Sequence, residues 1–268
     1  MADARSAIDR PKGNGLSLIH IYFGVSRVPI CHGTFYLGNK GQDYFAPLFL
    51  SPGDDLLSGS ASEANFTPKF AAALSQALGA KAKAISPEDI FQYAYAAFYS
   101  PTYRNRYAEL LKIDFPRLPL TGNLELIRAV ARLGGKLVAL HLLESPLLDN
   151  LPATYTGPAG PEVEKISHTG GTVWLDKAQK RGFRDVPEAV WDFHMGGYQV
   201  CEKWLKDRKG RTLSKDDIGH YQKIVVALSE TLRLMKEIDV VIEKHGGWPG
   251  AFQSMQNQFD AAQVETRQ

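Results

Sequence analysis

Residues 214–246 read SKDDIGHYQKIVVALSETLRLMKEIDVVIEKHG, and the reading of this run decides the architecture. Ser214 followed three residues later by Asp217 is a capping box, with Asp in place of the usual Glu. Ile218, Tyr221, Val225, Leu228, Leu232, Met235, Ile238 and Ile242 then recur at steps of three and four, the period of one helix face. Lys244 and His245 suit the negative end of the helix dipole, and Gly246 stops the helix. At 1.5 Å per residue the predicted helix is about 45 Å long. An apolar stripe of that length is read as core, or as a seam against another helix, and not as a catalytic surface.

Immediately upstream, residues 192–211 read DFHMGGYQVCEKWLKDRKGR. Val190 to Phe193 is a short apolar run that reads as a strand, and Gly196-Gly197 permits positive φ or a close backbone approach just after it. Tyr198 to Lys206 carries Val200, Trp204 and Leu205 and looks like one or two helical turns. Lys203, Lys206, Arg208, Lys209 and Arg211 follow, against only Glu202 and Asp207. A turn that offers Tyr198, Gln199 and five cations is a candidate phosphate-facing surface. The bland reading of the same residues is a solvated helix end whose cations complement the dipole, with Trp204 as ordinary core.

Further upstream the pattern alternates between strand and helix. Residues 163–168 and 172–175 around Gly170-Gly171 predict a hairpin, and Gly182 to Val186 and Val190 to Phe193 would extend it into a small antiparallel meander. Residues 146–161 form a Pro/Gly-rich joint. Before it come cap-plus-proline signals: Thr67-Pro68 for a helix to Leu78 stopped by Gly79, Ser86-Pro87 for one to Tyr99, and Ser100-Pro101 for one to about Lys112. Phe115-Pro116-Arg117-Leu118-Pro119 must be extended. A further helix begins near Thr121, and its apolar segment resumes after Gly134-Gly135 as far as Leu143. Thr34 to Leu50 reads as a hairpin about Gly38–Gly41, with Pro47 marking an edge strand, and 51–65 as a polar loop. Together these predict an α+β fold: a helical layer, a small antiparallel β meander and a long C-terminal helix.

The totals bound the function. The chain has 268 residues, 44% apolar and 22% charged, with a net charge of +2 from 31 Lys and Arg against 29 Asp and Glu. That is an ordinary globular composition with ample core, and it argues against a free-standing nonspecific nucleic-acid binder, which would be plainly basic. Two cysteines, Cys31 and Cys201, are too few for a disulfide framework and lack zinc spacing, which fits a reducing, cytoplasmic setting. No run approaches the roughly 18 apolar residues that a membrane span requires.

Missing motifs decide the enzyme question. An adenine methyltransferase needs a glycine-rich turn after a strand for its cofactor and an Asn/Asp-Pro-Pro-aromatic tetrapeptide at the flipped base. Neither occurs, nor does a phosphate-binding Walker loop, a paired acid–Lys nuclease pattern or a zinc-spaced histidine set. No catalytic residue, metal ligand or cofactor site is assigned. Cys201 lies near His194 in sequence, but no third group orients them, so Cys201 is read as a half-buried structural thiol. Tyr103 and Tyr107, at helical spacing, are read as core sooner than as base-stacking platforms. Arg104, Arg106 and Arg117 fit phosphate contacts and ordinary ion pairs equally.

Two long blocks carry a resemblance. Residues 196–199 with 203–211, and Ser100-Pro101-Thr102-Tyr103-Arg104, Tyr107 and residues 111–120, resemble in the same order the C-terminal specificity region of single-chain Type ISP restriction–modification enzymes. The likeness extends over residues 34–245. It implies a target-recognition domain, with 1–33 an arm or a truncated or artefactual start and 246–268 a flexible tail. (Residues 16–21, LSLIHI, are what a sequencing-library transposon end encodes in one frame.) It implies double-stranded DNA as partner, with the methyltransferase and helicase-like parts of a parent polypeptide using S-adenosylmethionine, ATP and Mg. Tyr198, Gln199, Lys203, Lys206, Arg208, Lys209 and Arg211, with Arg104, Arg106 and Arg117, become the candidate DNA contacts. Loops near 51–65 and 146–182 become candidate base readers. The competing expectation is a coupling module that docks on the methyltransferase or motor and touches little DNA.

Overall fold

The computed structural model describes residues 24–27, 46–50, 63–112, 114–195 and 198–252. Most of the hairpin expected over Thr34–Leu50 lies outside these residues. Its described end, β1 (Phe49–Leu50), pairs antiparallel with β2 (Glu63–Ala64), which lies inside the stretch 51–65 expected as a polar loop, Phe49 opposite Ala64.

Caps set the helical layer. The Thr67 hydroxyl accepts the Phe70 N–H at 3.2 Å and opens α1 (Pro68–Leu78), which Gly79 ends at φ 59°. Ser86 and Asp89 exchange reciprocal 3.0 Å bonds at the start of α2 (Pro87–Tyr99). Ser100 then caps α3 (Pro101–Arg106), and Tyr107 separates it from α4 (Ala108–Leu111), so the helix expected over 101–112 is two pieces. The extended segment after it is held by phenols: Tyr103 donates to the Arg117 carbonyl at 2.9 Å and Tyr93 to that of Pro119 at 2.6 Å.

Asn123 opens α5 (Leu124–His141), three residues later than Thr121, and α5 runs without a break through Gly134-Gly135. Those glycines are a contact and not a joint. A Cβ on Gly134 would lie 1.9 Å from the Gln92 carbonyl oxygen, so the backbones of α2 and α5 touch there. Leu126, Ile127, Val130, Leu137 and Leu140 of α5 fill the core that α1, α2 and the last long helix enclose.

The β module is a four-stranded antiparallel sheet in the order β3 (Thr154–Thr156), β6 (Gly182–Arg184), β5 (Thr172–Trp174), β4 (Ser167–Thr169), with Val173 opposite Phe183. The hairpin about Gly170-Gly171 forms as expected, whereas β3 emerges from what reads as a Pro/Gly-rich joint. Val190 to Phe193 is not a strand. Pro187 starts a single helical turn, α6 (Glu188–Trp191), since so short an apolar run fits either period. β7 (His194–Met195) then pairs with β8 (Tyr198–Gln199), and Gly196-Gly197 lies outside the described residues. α7 (Val200–Lys206) leads to α8 (Lys215–Lys244), whose Ser214–Asp217 capping box forms as read.

α8 lies in both cores. Its Tyr221, Val225 and Leu228 pack on the sheet with Phe183, Leu175 and Cys201, while Val226, Ala227, Leu234, Ile238 and Ile242 pack on α2 and α5. Two polar ties fix it to the helical layer. Asp239 accepts the Ser100 hydroxyl and, at 3.0 and 2.8 Å, the Thr102 N–H and hydroxyl. His141 sits between the Tyr95 hydroxyl (2.7 Å from Nδ1) and Thr231 Oγ1 (2.9 Å from Nε2), and Thr231 donates onward to the Ala227 carbonyl. That chain is satisfied by a neutral ring protonated on Nε2, and burial pushes His141 down to about 4. After α8, α9 (Gly247–Gly250) folds back. Trp248 packs 5.8 Å from the Tyr103 ring, and Ala251 and Phe252 are buried; the rest of the tail expected from 246 lies outside the described residues. Near the other end, Arg27 makes two bonds to the Glu144 carboxylate at 3.0 and 2.7 Å.

Replacing Gly134 by Ala forces α2 and α5 apart and should cost about 2–3 kcal/mol in denaturant unfolding. Gly135→Ala meets only the Gln92 side-chain amide at 3.1 Å. It should fall within about 1 kcal/mol of wild type, helped by helix propensity. A second expectation concerns pH. His141 is neutral in the fold near 4 and ordinary at 6.5 when unfolded. Its contribution is full above 6.5 and is lost as pH falls toward 4, on the order of 3 kcal/mol. His141→Leu should be less stable at pH 7 and show a shallower loss between pH 6.5 and 4.

Candidate nucleic-acid interface

The basic run 203–211 owes its shape to two buried residues, Cys201 and Leu205, one turn apart on α7. They turn α7 into the sheet-side core and leave Glu202, Lys203 and Lys206 toward solvent. Both lysines are already paired: Lys203 with the Asp207 carboxylate and Lys206 with Glu202 at 2.7 Å, each four residues along the helix. Such exposed pairs contribute about 0.3–0.5 kcal/mol, so they leave the cations exchangeable while lowering the local field.

Arg208 is different. Its guanidinium lies 3.6 Å from the Trp204 ring centroid, donates to the Trp204 carbonyl at 3.1 Å and reaches Asp217 at 3.4 Å. The Ser214 N–H and hydroxyl, then Arg208, hold the Asp217 carboxyl below its usual range. Arg208 therefore clamps the end of α7 to the start of α8. Lys209 and Arg211 are exposed and make no ion pair among the described residues. Gly210, at φ 75°, turns the chain between them. The Gly210 N–H donates to the Val163 carbonyl at 2.9 Å, and Val163 donates back to Arg211 at 3.1 Å.

The same backbone ladder joins this loop to the β module. Glu164 and Lys165 both donate to the Leu175 carbonyl, at 2.9 and 3.0 Å, at the foot of the β5–β6 turn. Loops 157–166, 175–181 and 207–213 thus share one end of the sheet. Lys165, Lys177, Lys180, Lys209 and Arg211 are exposed there, with Glu162 and Glu164 as the interleaved acids. Lys177 stands 3.6 Å from Glu164. The sequence reading named Lys209 and Arg211 individually and reached Lys165, Lys177 and Lys180 only as part of the candidate base-reading loop near 146–182. For Lys177 and Lys180 the local signal is the DKAQKR run between two β segments.

Other candidates lie elsewhere. Tyr198 and Gln199 stand before α7, about 10 Å along its axis from Lys206. Tyr198 is 50% exposed beneath the Lys203 ammonium, 5.7 Å from the ring centroid. Gln199 turns its amide inward onto the Trp191 carbonyl. Arg104 donates to the Phe98 carbonyl at 2.8 Å and lies 4.9 Å from the Tyr99 ring, so it closes the end of α2. Arg106 is exposed, and Arg117 stands 3.6 Å from Asp114. These three arginines belong to the α3 region, which Asp239 anchors, whereas Asp217 anchors the 203–211 loop. Twenty-two residues of α8 separate the anchors, about 33 Å along the axis and about 40° around it. The candidate arginines near α3 and the 203–211 loop are therefore tied to α8 at two separate anchors.

Tyr103 and Tyr107 are core, packed 4.9 Å apart with Trp248 over both. Cys201 is fully buried, 3.8 Å from the Val190 carbonyl, and burial pushes its thiol up to about 12. His194 points to its own Asp192 carbonyl at 2.6 Å, so the thiol has no base and is no nucleophile. Among the described residues no group of three or more His, Cys, Asp or Glu could hold a metal ion, and no helix is long and apolar enough to cross a membrane.

Comparison with known proteins gives a consistent match. The model of the Type ISP C-terminal specificity domain matches residues 23–237. Among solved structures, the fold resembles the ATP-dependent Type ISP restriction-modification enzyme LlaBIII bound to DNA, at 18% identity and TM-score 0.50, over 71% of this chain and 13% of that one. It also resembles DrdV in its complex with DNA, at 21% identity and TM-score 0.53, over 71% of this chain and 21% of that one. The chain thus spans about a fifth or less of the proteins it resembles in structure. No curated protein sequence matches it.

Arg208→Ala should lower stability by about 1–2 kcal/mol through loss of the ring contact, the carbonyl bond and the partner of Asp217. Arg208→Lys should recover little of it, since an ammonium cannot lie flat on Trp204. Lys209→Ala should stay within about 0.5 kcal/mol of wild type. Thermal melts of the three variants check this ordering.

Proposed function

Because the chain belongs to the Type ISP C-terminal specificity domain family, we propose that it recognises a duplex DNA target for a restriction–modification polypeptide. Its task is to hold the duplex so that the target adenine meets an N6-adenine methyltransferase carried by another part of that polypeptide. On this reading S-adenosylmethionine, ATP and Mg serve those other parts, and this chain contributes position and sequence choice.

The family match over residues 23–237 carries the proposal. The reading is supported by the loop end of the β module, where Lys209 and Arg211 are exposed and unpaired among the described residues, and where Lys165, Lys177 and Lys180 lie alongside. Backbone phosphates need cations that can give up water and counterions without first breaking an internal clamp. Lys209 and Arg211 meet that condition, Lys203 and Lys206 meet it after exchanging a weak pair, and Arg208 does not. The patch near Arg106 and Arg117 supplies a second hold. The points where α3 and the 203–211 loop are tied to α8 lie about 33 Å apart along it, close to the roughly 34 Å rise of one duplex turn, which is compatible with both patches meeting one duplex.

Binding of short duplexes that carry the selected site should weaken steeply with salt. Lys209→Ala with Arg211→Ala should lower the slope of log K against log salt by about 2. Arg208→Ala should change stability more than slope. Unchanged affinity and slope in the double variant would remove this face from the DNA contact and return the chain to the role of a docking module.

A further inference from the structure

The β5–β6 connection is more elaborate than the strands require. Two three-residue antiparallel strands can be closed by a two-residue turn, yet here six residues, Asp176 to Arg181, intervene between Leu175 and Gly182. Asp176 is only 4% exposed, although it is an acid at the base of a surface turn. Its carboxylate accepts the Lys180 N–H at 2.9 Å and the Arg181 guanidinium at 3.0 Å. Burial acts to raise the Asp176 pKa, but Arg181 and the backbone donors outweigh it and hold the group below its ordinary value, hence ionised. The Leu175 N–H closes the base onto the Arg181 carbonyl at 2.8 Å. On the third side the turn rests on Gly157, where a Cβ would meet Arg181 Cγ and the Lys180 carbonyl at 3.0 and 3.1 Å.

Above this fixed base, Lys177, Ala178, Gln179 and Lys180 are all exposed. Gln179 holds φ 52°, a left-handed conformation that glycine adopts far more readily. An ion pair on a buried carboxylate and an unfavourable backbone angle are thus used to present a solvent-exposed amide between two lysines. Neither serves the core, because the tip stays exposed among the described residues.

We propose that this turn is the base-reading finger of the domain, entering the major groove with Gln179 on a base edge and Lys177 and Lys180 on flanking phosphates. Asp176 and Arg181 are its positioning residues. The proposal rests on the DNA-recognition reading above. A two-stranded tip fits a groove about 12 Å wide, and a Gln amide offers the donor and acceptor that match the N6 and N7 edge of adenine. Two strand spacings, about 10 Å, separate the turn from Gly210 and Arg211 through the 163–165 segment, so finger and phosphate contacts face one duplex. A tip already fixed in the free protein loses little further freedom on binding.

The test is selection of randomised duplexes by the 268-residue chain, comparing wild type with Gln179→Gly, Gln179→Ala and Asp176→Asn. Gln179→Gly relieves the backbone and should melt at or above the wild-type temperature, while discrimination at one base pair falls about 10- to 100-fold and affinity for non-site DNA is unchanged. Gln179→Ala should lose the same discrimination, and Asp176→Asn should broaden preference at that position through a mobile tip. A wild-type chain that enriches a motif which Gln179→Gly and Gln179→Ala reproduce with equal discrimination overturns the finger and leaves DNA recognition standing. A wild-type chain that enriches nothing overturns both.

Discussion

One helix has to satisfy two cores at once, and the rest of the molecule is arranged around that demand. α8 gives Tyr221, Val225 and Leu228 to the β module and Val226, Ala227, Leu234, Ile238 and Ile242 to the helical layer. Neither module is closed without it: three-residue strands make a sheet too small to bury its own face, and α2 and α5 leave a groove that only a third helix fills. Sharing one rigid rod fixes the relation between the modules. The polar ties at its two ends, Asp217 with Arg208 and Asp239 with Ser100 and Thr102, then set where α7 and α3 stand along it.

Electrostatics in this chain is spent mostly on architecture. A net charge of +2 already rules out a broad positive field. Within the basic run, Asp207, Glu202 and Asp217 engage three of the five cations. What is left is local: a few exposed lysines and an arginine at one end of a small sheet, interleaved with Glu162 and Glu164. Such a surface gives modest nonspecific affinity and leaves discrimination to shape and hydrogen bonding.

Much of this was legible before the structure, where the signal is local. Thr67, Ser86, Ser100 and Ser214 cap their helices because a hydroxyl three residues before a backbone N–H needs nothing from elsewhere in the chain. The period of α8 and the Gly170-Gly171 hairpin are equally self-contained. What failed depended on partners distant in sequence. Gly134-Gly135 reads as a pause in the apolar pattern, whereas Gly134 is where α2 touches α5, which only Gln92 reveals. Val190 to Phe193 reads as a strand because a four-residue apolar run fits both periods, and β3 hides among prolines and glycines because β6 is what makes it a strand. The site was half legible. Composition marks the cations, but the ion pairs and the Arg208–Trp204 contact that sort free from committed charge are tertiary, and so is the burial of Asp176.

The division of labour on the proposed reading follows from how these parts are held. Residues 198–211 carry one of the two blocks shared with the family, and here they act chiefly as a strut: Cys201 and Leu205 in the core, Gln199 on the Trp191 carbonyl, Arg208 on Trp204. A strut has to be the same whichever DNA site is read. The turns at the sheet end are under no such constraint, because among the described residues the tip at 177–180 is exposed and its base is fixed. Sequence choice can then change by altering a few exposed residues without disturbing α8 or the spacing of its anchors. A fold in which the recognisable motif and the base-reading surface are different residues is what a family of site-specific readers requires, since residues common to readers of different sites cannot be those that tell the sites apart.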